Sequence, residues 1–349
     1  MQGREVTGLK RRSIRHRDRI SQVPIYLGKQ FRFFINENDW KVLPMAAVIA
    51  ALVAMVIRNK MFLNMEGGLI GAFSLTCVAI WNGCFNSIQS VCRERAIIKR
   101  EHRSGMHISA YMAAHMIYQF FLCLLQTFVT VYVLKLLGVQ FPQEGFITGS
   151  MIFDVSISML LITYAADMMS LFISSISKTT TSAMTIMPFV LIFQLVFSGG
   201  IIPLPEWTQP ISNFTISNYG INALCSQSGY NELPMVTTWK TIEGMKEKEI
   251  NMTLTIGDVL TAMGIDEALD QIRQEKLMDP ITVGEIIDAF GEDRVKNLVQ
   301  NTTAEAARKE KYEATWQNVV RNWIMLAVFI CAFAVLATIA LELIDKDKR

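Results

Sequence analysis

Six long, mostly apolar runs with few or no charged residues dominate this chain of 349 residues, 51% of which are hydrophobic. About 20 helical residues cross the hydrocarbon core of a bilayer, so runs near that length are candidate membrane spans. Because lipid offers the backbone no hydrogen-bond partners, we expect each run to be a helix. The runs cover residues 42–57, 68–92, 110–137, 147–174, 182–202 and 322–343. They predict an all-α integral membrane protein with six transmembrane helices.

The sign of the charge differs between the loops on the two sides of these runs. Ten Lys and Arg residues precede the first run, and five more lie at 93–103, between the second and third runs. The segment 201–320 instead holds 18 Asp and Glu residues against ten Lys and Arg. Since Lys and Arg are enriched on the cytoplasmic side, we predict a multi-pass plasma membrane protein with both termini in the cytoplasm. The lack of paired external cysteines favours a bacterial membrane.

The chain divides into four predicted regions. Residues 1–41 form a basic cytoplasmic tail, and within it 24–40 mixes apolar and charged residues at near-helical spacing. Such a segment before a span indicates an amphipathic connecting helix on the membrane surface. Residues 42–202 hold spans one to five, 203–320 form an extracellular domain, and 321–349 hold the last span and a short tail.

The extracellular region contains a short internal repeat. The stretch "TIGDVLTAMG" (255–264) is echoed by "TVGEIIDAFG" (282–291). Thr282 and Glu285 have the spacing of a capping box, and Gly291 stands where a helix commonly ends. We expect two short capped helices; a duplicated ligand-binding element is the alternative. From Thr303 the chain has no Gly or Pro before the last run, which predicts one long helix entering the membrane.

A compact charged segment, "RERAIIKREHRSGM" (93–106), separates the second and third runs. Its residues are mostly good helix formers, and Ser104-Gly105 follows them as a stop. Ala96, Ile97 and Ile98 supply an apolar strip. We therefore predict a short cytoplasmic helix over 93–105. Charges of both signs around an apolar strip favour protein docking over binding to anionic lipid; a loop that only orients the chain is the alternative.

Several motifs of enzymes do not occur in the sequence. There is no G-x-x-x-x-G-K-[ST] phosphate-binding loop, no H-E-x-x-H and no C-x-x-C. We therefore predict no catalytic residue, no metal site and no ATP hydrolysis by this chain itself. The basic segment 10–19 lies beside a bilayer, so we assign it to lipid headgroups rather than to nucleic acid.

Two blocks of sequence resemble one known family. The stretch "VCRERAIIKREHRSGMHISAYMAAHMI" resembles the segment after the second span in ABCG-like type-2 ABC transporter permeases, and "MPFVLIFQLVFSGGIIPLPEW…NYGINAL" resembles the fifth span and the re-entrant external helices. The similarity covers about 23–224 and 319–345 and leaves out 225–318. The residues at matching motif positions are Glu94, Arg100, Glu101, Ser104, Gly105, Ser109 and Tyr111.

The resemblance implies the membrane subunit of a dimeric exporter. The partners it implies are a separate ATPase subunit, which would carry ATP and Mg²⁺, a second permease copy (identical or not) and membrane lipid. It implies no cofactor in this chain. The charged helix would be the coupling helix, seated in a groove of the ATPase, with Glu101 meeting a cation there. The residues so implicated are Glu94, Arg95, Lys99, Arg100, Glu101 and Gly105.

In this family the second and fifth spans line a central cavity, which gives candidates for substrate contact. Asn82 and Asn86 are four residues apart and share one helix face, where polar side chains are costly unless they face a cavity or a partner. The candidates are Asn82, Phe85, Asn86, Phe193 and Phe197. Interhelical hydrogen bonding and aromatic packing are the alternative explanation for them.

The predicted function is export of an amphipathic or lipid-like substrate, powered by the partner ATPase. A membrane sensor or scaffold, whose external domain binds a ligand and signals through the charged segment, is the alternative. A third possibility is an ion-gradient carrier. Asp154 and Asp167 in the fourth run would be the candidates for a proton relay. For these two residues we favour solvation near an interface or pairing with a neighbouring span.

Overall fold

The computed structural model describes residues 18–36, 39–200, 202, 204–247, 249–250 and 281–343. Helices make up nearly all of its regular structure. The first seven are α1 (Arg19–Asn36), α2 (Val42–Ile57), α3 (Met65–Ser87), α4 (Ser90–Arg103), α5 (Ile108–Leu136), α6 (Met151–Ile176) and α7 (Thr180–Val196).

Shorter elements follow α7. They are α8 (Gln209–Ser212), α9 (Ile216–Gln227), α10 (Thr237–Glu243), α11 (Val283–Phe290), α12 (Glu292–Ala307) and the long α13 (Trp316–Glu342). Single 3₁₀ turns lie at Asp39–Lys41, Glu206–Thr208, Tyr230–Glu232 and Glu310–Tyr312. Strand β1 (Glu249–Ile250) pairs antiparallel with β2 (Ile281–Thr282) in the register Glu249 to Thr282.

Five helical stretches are long and apolar enough to cross a membrane. They are Asp39–Ile57, Met65–Arg103, Ile108–Leu136, Met151–Ile176 and Trp316–Glu342. The prediction of a helical, multi-pass membrane protein is confirmed by these stretches. The fifth predicted span corresponds to α7, which is apolar but only 17 residues long. The count of six spans therefore stays a prediction.

The centre of the bundle is built by α3, α6, α9 and α13. Gly83 of α3 lets the backbones of α3 and α6 approach closely, because a Cβ at this position would lie 2.0 Å from the carbonyl oxygen of Thr163. Helix α9 is buried along almost its whole length and contacts α3, α6 and α13. Close approach at small residues is the usual way in which helices pack in lipid.

Helix α13 relates the two ends of the bundle to each other. It starts at Trp316 beside α9 and runs for 27 residues, about 40 Å at 1.5 Å per residue. Near its far end, Leu341 is buried in one cluster with Val91 and Ile98 of α4. The segment around α8 and α9 and the helix α4 therefore lie at opposite ends of the spans.

Part of the predicted external structure is confirmed. Thr282 caps α11: the backbone N–H of Glu285 donates to Thr282 Oγ1 at 3.3 Å, and the Glu285 carboxylate accepts from the backbone N–H of Thr282 at 3.2 Å. Gly291 follows the helix with φ 84°, a value that favours glycine. The first copy of the repeat, 255–264, lies outside the described residues.

The predicted long helix from Thr303 into the last span is wrong. Helix α12 ends at Ala307, and α13 begins only at Trp316. Between them Tyr312 is fully buried, with its ring 5.0 Å from that of Tyr230. The burial of the Tyr312 side chain interrupts the helix, although this stretch contains no Gly or Pro. Thr315 then caps the new helix by accepting from the backbone N–H of Asn318.

Candidate functional site

The charged helix α4 is held to α1 and α5 by a buried polar network. Glu94 is 5% exposed, and its Oε2 lies 3.2 Å from Lys29 Nζ of α1 and accepts from the hydroxyl of Tyr111 at 3.2 Å. His115 Nε2 lies 2.8 Å from the Tyr111 hydroxyl oxygen and 2.9 Å from Gln30 Nε2. Buried polar groups need such partners. The network therefore fixes three helices against one another.

Glu101 also faces α1 within this chain. Its Oε1 lies 3.8 Å from Lys29 Nζ, so the two carboxylates of α4 share one lysine. Tyr26 of α1 lies close by. The pKa of its phenol is raised mainly by burial and also by the charge of Glu101. Glu101 thus approaches a cation of its own chain, Lys29.

The turn after α4 is bound to α1 as well. Gln22 donates from Nε2 to the carbonyl oxygen of Gly105 at 3.3 Å and accepts from the backbone N–H of His107 at 2.9 Å. Gly105 has φ 105°, in the region that favours glycine, and this permits the tight reversal into α5. The stop predicted at Ser104-Gly105 is confirmed.

A second anchor joins α4 to the end of α6. Arg95 donates from Nη1 to the carbonyl oxygens of Ser175 and Ser177, each at 3.0 Å. These carbonyls belong to the last turn of α6 and the residue that follows it, where a helix lacks internal donors. Ser174 Oγ in turn accepts from the backbone N–H of Val91 at 3.2 Å. Arg95 is therefore committed to a structural contact inside the chain.

The opposite face of α4 is exposed. Its members recur every three or four positions, which places them on one side of the helix. They are Arg93, Ala96, Ile97, Arg100 and Arg103, and we call them the basic face. Ile97 is 39% exposed, whereas Ile98 is fully buried. The expected strip of Ala96, Ile97 and Ile98 is thus divided between the two sides, and Lys99 is half-buried.

The predicted cavity residues of α3 have unequal surroundings. Asn86 donates from Nδ2 to Gln126 Oε1 at 2.8 Å and accepts from Gln126 Nε2 at 3.0 Å. Its amide is therefore committed to α5, as the interhelical alternative expected. Asn82 is buried, and Phe85 is 50% exposed and stacks on Trp81.

Phe193 of α7 packs against Phe197, the residue that follows this helix. The rings of Phe193 and Phe197 have centroids 5.0 Å apart, and Phe193 is 39% exposed. Helices α3 and α7 are in contact. The structure therefore brings the two candidate helices together and leaves Phe85 and Phe193 on the surface of the single chain.

The two aspartates of α6 have separate partners. The Asp154 carboxylate accepts from the backbone N–H of Ile147 and of Thr148, each at 3.0 Å, and so ties down the loop before its own helix. Asp167 is fully buried and accepts from the hydroxyl of Ser87 on α3. No hydrogen bond joins the two carboxylates in the described part of the chain. Asp167 thus pairs with a neighbouring helix, as expected.

Sequence reasoning missed most of the α4 network. Lys29, Gln30 and Gln22 lie 65 to 85 positions from their partners. Lys29 and Gln30 stand in a segment whose pattern indicated only an amphipathic helix, and Gln22 lies just before it. No local spacing rule connects these residues to their partners. Among the described residues, no cluster of His, Cys, Asp or Glu could hold a metal ion.

Comparison with known proteins gives two results. The family model described as "ABC-2 type transporter" matches residues 31–227. An ABC transporter ATP-binding/permease protein of Mycobacterium tuberculosis is 30% identical over 131 residues, which is 36% of this chain and 15% of the relative. The chain thus spans a small part of that relative's length.

Proposed function

Since the chain belongs to the ABC-2 type transporter family and is an ABC transporter permease, we propose that it exports an amphipathic or lipid-like substrate using ATP hydrolysed by a separate ATPase subunit. Two permease copies would pair with two ATPase subunits. In this arrangement α7 is the fifth of six membrane-inserted helices, α1 lies along the inner membrane surface, and both termini are cytoplasmic.

One observation carries the proposal: the two faces of α4 have different environments. The inward face is fixed to α1, α5 and α6 through Glu94 and Arg95. The outward face presents three arginines around Ile97. A rigidly mounted helix with an exposed basic and apolar face can receive a partner and pass its movement directly to the spans. Lipid binding alone would not require such a mounting.

The arrangement refines the set of residues expected to meet the ATPase. Glu94 and Arg95 serve contacts within the chain, and Glu101 faces Lys29. We therefore assign docking to the basic face, with Arg100 near its centre. Acidic side chains on the ATPase would complement it. The mycobacterial relative is an ATP-binding/permease protein, and this supports an ATPase working with the present permease.

For the substrate path we propose the surface where α3 and α7 meet. Phe85 and Phe193 remain exposed on a single chain, so a second copy facing them would enclose an aromatic cavity. Asn82 is buried within the single chain and Asn86 is bound to Gln126, so the aromatic rings would form most of the lining of this cavity. Such a mostly apolar cavity suits the acyl or aromatic part of an amphiphile.

The test is ATP-driven transport by the chain together with the ATPase subunit that co-purifies with it. In proteoliposomes, Arg100→Glu should lower ATP-dependent transport at least about tenfold, because a reversed charge opposes docking. Lys135→Glu makes the same reversal at the exposed far end of α5 and should leave transport unchanged. Equal transport by wild type and Arg100→Glu, or ligand binding with no transport, would contradict the proposal.

A further inference from the structure

We propose that a cleft at the external end of the bundle binds a hydroxyl-rich headgroup, such as a sugar or polyol, on the exported amphiphile. This rests on the export function proposed above and adds a chemical class for the substrate. The cleft has a volume of about 1060 Å³. It lies between the end of α7, the segment 206–213, α9 and the first turns of α13, about 40 Å from α4 along α13.

Exposed aromatic residues around the cleft indicate its depth in the membrane. Trp207, Phe214 and Trp316 are 79%, 74% and 58% exposed. Each is the direct neighbour of a residue that lines the cleft. Trp is enriched at the boundary between hydrocarbon and water. These exposed aromatic residues therefore place the cleft at the level of lipid headgroups, where the polar end of an amphiphile would leave the protein.

The lining is dominated by groups that both donate and accept hydrogen bonds. Seven lining residues carry a carboxamide, and Ser212, Tyr219 and Thr315 add hydroxyls. The side chains of Gln209, Asn213 and Gln317 form no hydrogen bond among the described residues and are exposed. A carboxamide presents one acceptor and two donors, which match hydroxyl groups acting in both roles.

A buried acceptor at the cleft points to a ligand. Asn222 is 8% exposed and lines the cleft. Its Nδ2 donates to Asn218 Oδ1 at 3.3 Å, whereas its Oδ1 has no partner in the described structure. An unpaired buried acceptor is costly, so such groups normally have a partner. A hydroxyl of the ligand can supply it.

The charges of the cleft do not favour a singly charged ligand. Three basic residues (Lys309, Lys311 and Arg321) stand against three acidic ones (Glu206, Glu310 and Glu313). Lys311 is already engaged, because Nζ donates to the carbonyl oxygen of Gly199 at 2.9 Å and lies 4.9 Å from the centre of the Tyr312 ring. An anionic headgroup would meet as many carboxylates as cations. A neutral hydroxyl-rich group is the better match.

The test is photocrosslinking of the full chain in lipid nanodiscs. The probe is an octyl glucoside that carries a diazirine, and the comparison probe has a phosphate in place of the sugar. We expect the glucoside to label peptides within 206–222 and 309–322. Asn213→Ala combined with Gln317→Ala should lower that labelling about fivefold through the lost hydrogen bonds. Both side chains are exposed, and thermal unfolding verifies that the variant folds. Gln143→Ala, at an exposed site outside the cleft, should label like wild type.

The outcomes separate this proposal from the proposed function. Stronger labelling of the cleft by the phosphate probe, or glucoside labelling that the double variant does not reduce, overturns the headgroup assignment even where ATP-driven transport is found. Selective glucoside labelling without any ATP-driven transport supports the cleft and contradicts export.

Discussion

The partly buried lysines at the two ends of this permease have different partners. At the α4 end, Lys29 lies 3.2 Å from Glu94 and 3.8 Å from Glu101, and the helices around it are tied together. At the opposite end, near α9, Lys311 contacts a carbonyl oxygen and an aromatic ring instead of a carboxylate. The first arrangement stabilises a fixed assembly. The second engages Lys311 without a carboxylate, beside a cleft whose exposed carboxamides remain open to a ligand. The difference is consistent with the roles proposed above, docking of the ATPase at one end and recognition of a ligand at the other.

The largest effect is expected from breaking the pairing at the α4 end. Glu94→Ala leaves Lys29 and the Tyr111 hydroxyl without their shared acceptor. Because Lys29 is partly exposed, we expect a loss of about 2–3 kcal/mol in the free energy of unfolding. Unfolding of the detergent-solubilised protein measures this loss. Glu94→Gln keeps an acceptor for the Tyr111 hydroxyl, so its free energy of unfolding should lie between those of wild type and Glu94→Ala.

Arg103→Ala is the matched control on the same helix. Arg103 is exposed, and its removal should change the unfolding free energy by less than about 0.5 kcal/mol. If Glu94→Ala and Arg103→Ala have the same free energy of unfolding, the inward face of α4 does not fix this helix to α1 and α5. The contrast between the partners of Lys29 and Lys311 then fails.

A smaller effect is expected at Lys311. The pKa of Lys311 is lowered from an ordinary value of 10.5 to about 8, mainly by burial and also by the charge of the neighbouring Lys309. Between these values the unfolded chain binds more protons than the folded one, so folding stability rises with pH across this window. Between pH 7.5 and 9.5 the free energy of unfolding of wild type should rise by about 1 kcal/mol relative to that of Lys311→Met. The rise is this small because the side chain is partly exposed and solvent screens its charge. A stability difference that does not change with pH would show that this cation is not desolvated.

The sequence predicted those features whose signals are local. Apolar run lengths gave the spans, and Thr282 with Glu285 gave a helix start that the structure confirms. The charged segment gave α4, observed at Ser90–Arg103. Each of these depends on residues within a few positions of one another, where helix geometry fixes the spacing.

The features that were missed depend on contacts between distant segments. The break between α12 and α13 follows from packing of Tyr312 against Tyr230, 82 positions earlier in the sequence. Whether a charged side chain of α4 faces the bundle or the exposed side likewise depends on where Lys29 and the end of α6 lie. The local pattern of the charged segment therefore predicted a helix, whose docking role stays a prediction, but could not tell Glu94, which is buried against α1 and α5, from Arg100, which is exposed.

The most direct measurement of the central claim is labelling of single introduced cysteines with a membrane-impermeant maleimide, with the unmodified chain as background. We expect Ile97→Cys to react only after cells are permeabilised and to be protected when the ATPase subunit is bound, while Asn213→Cys reacts in intact cells. Labelling of Ile97→Cys in intact cells would place the basic face of α4 outside and contradict its role as the ATPase docking surface.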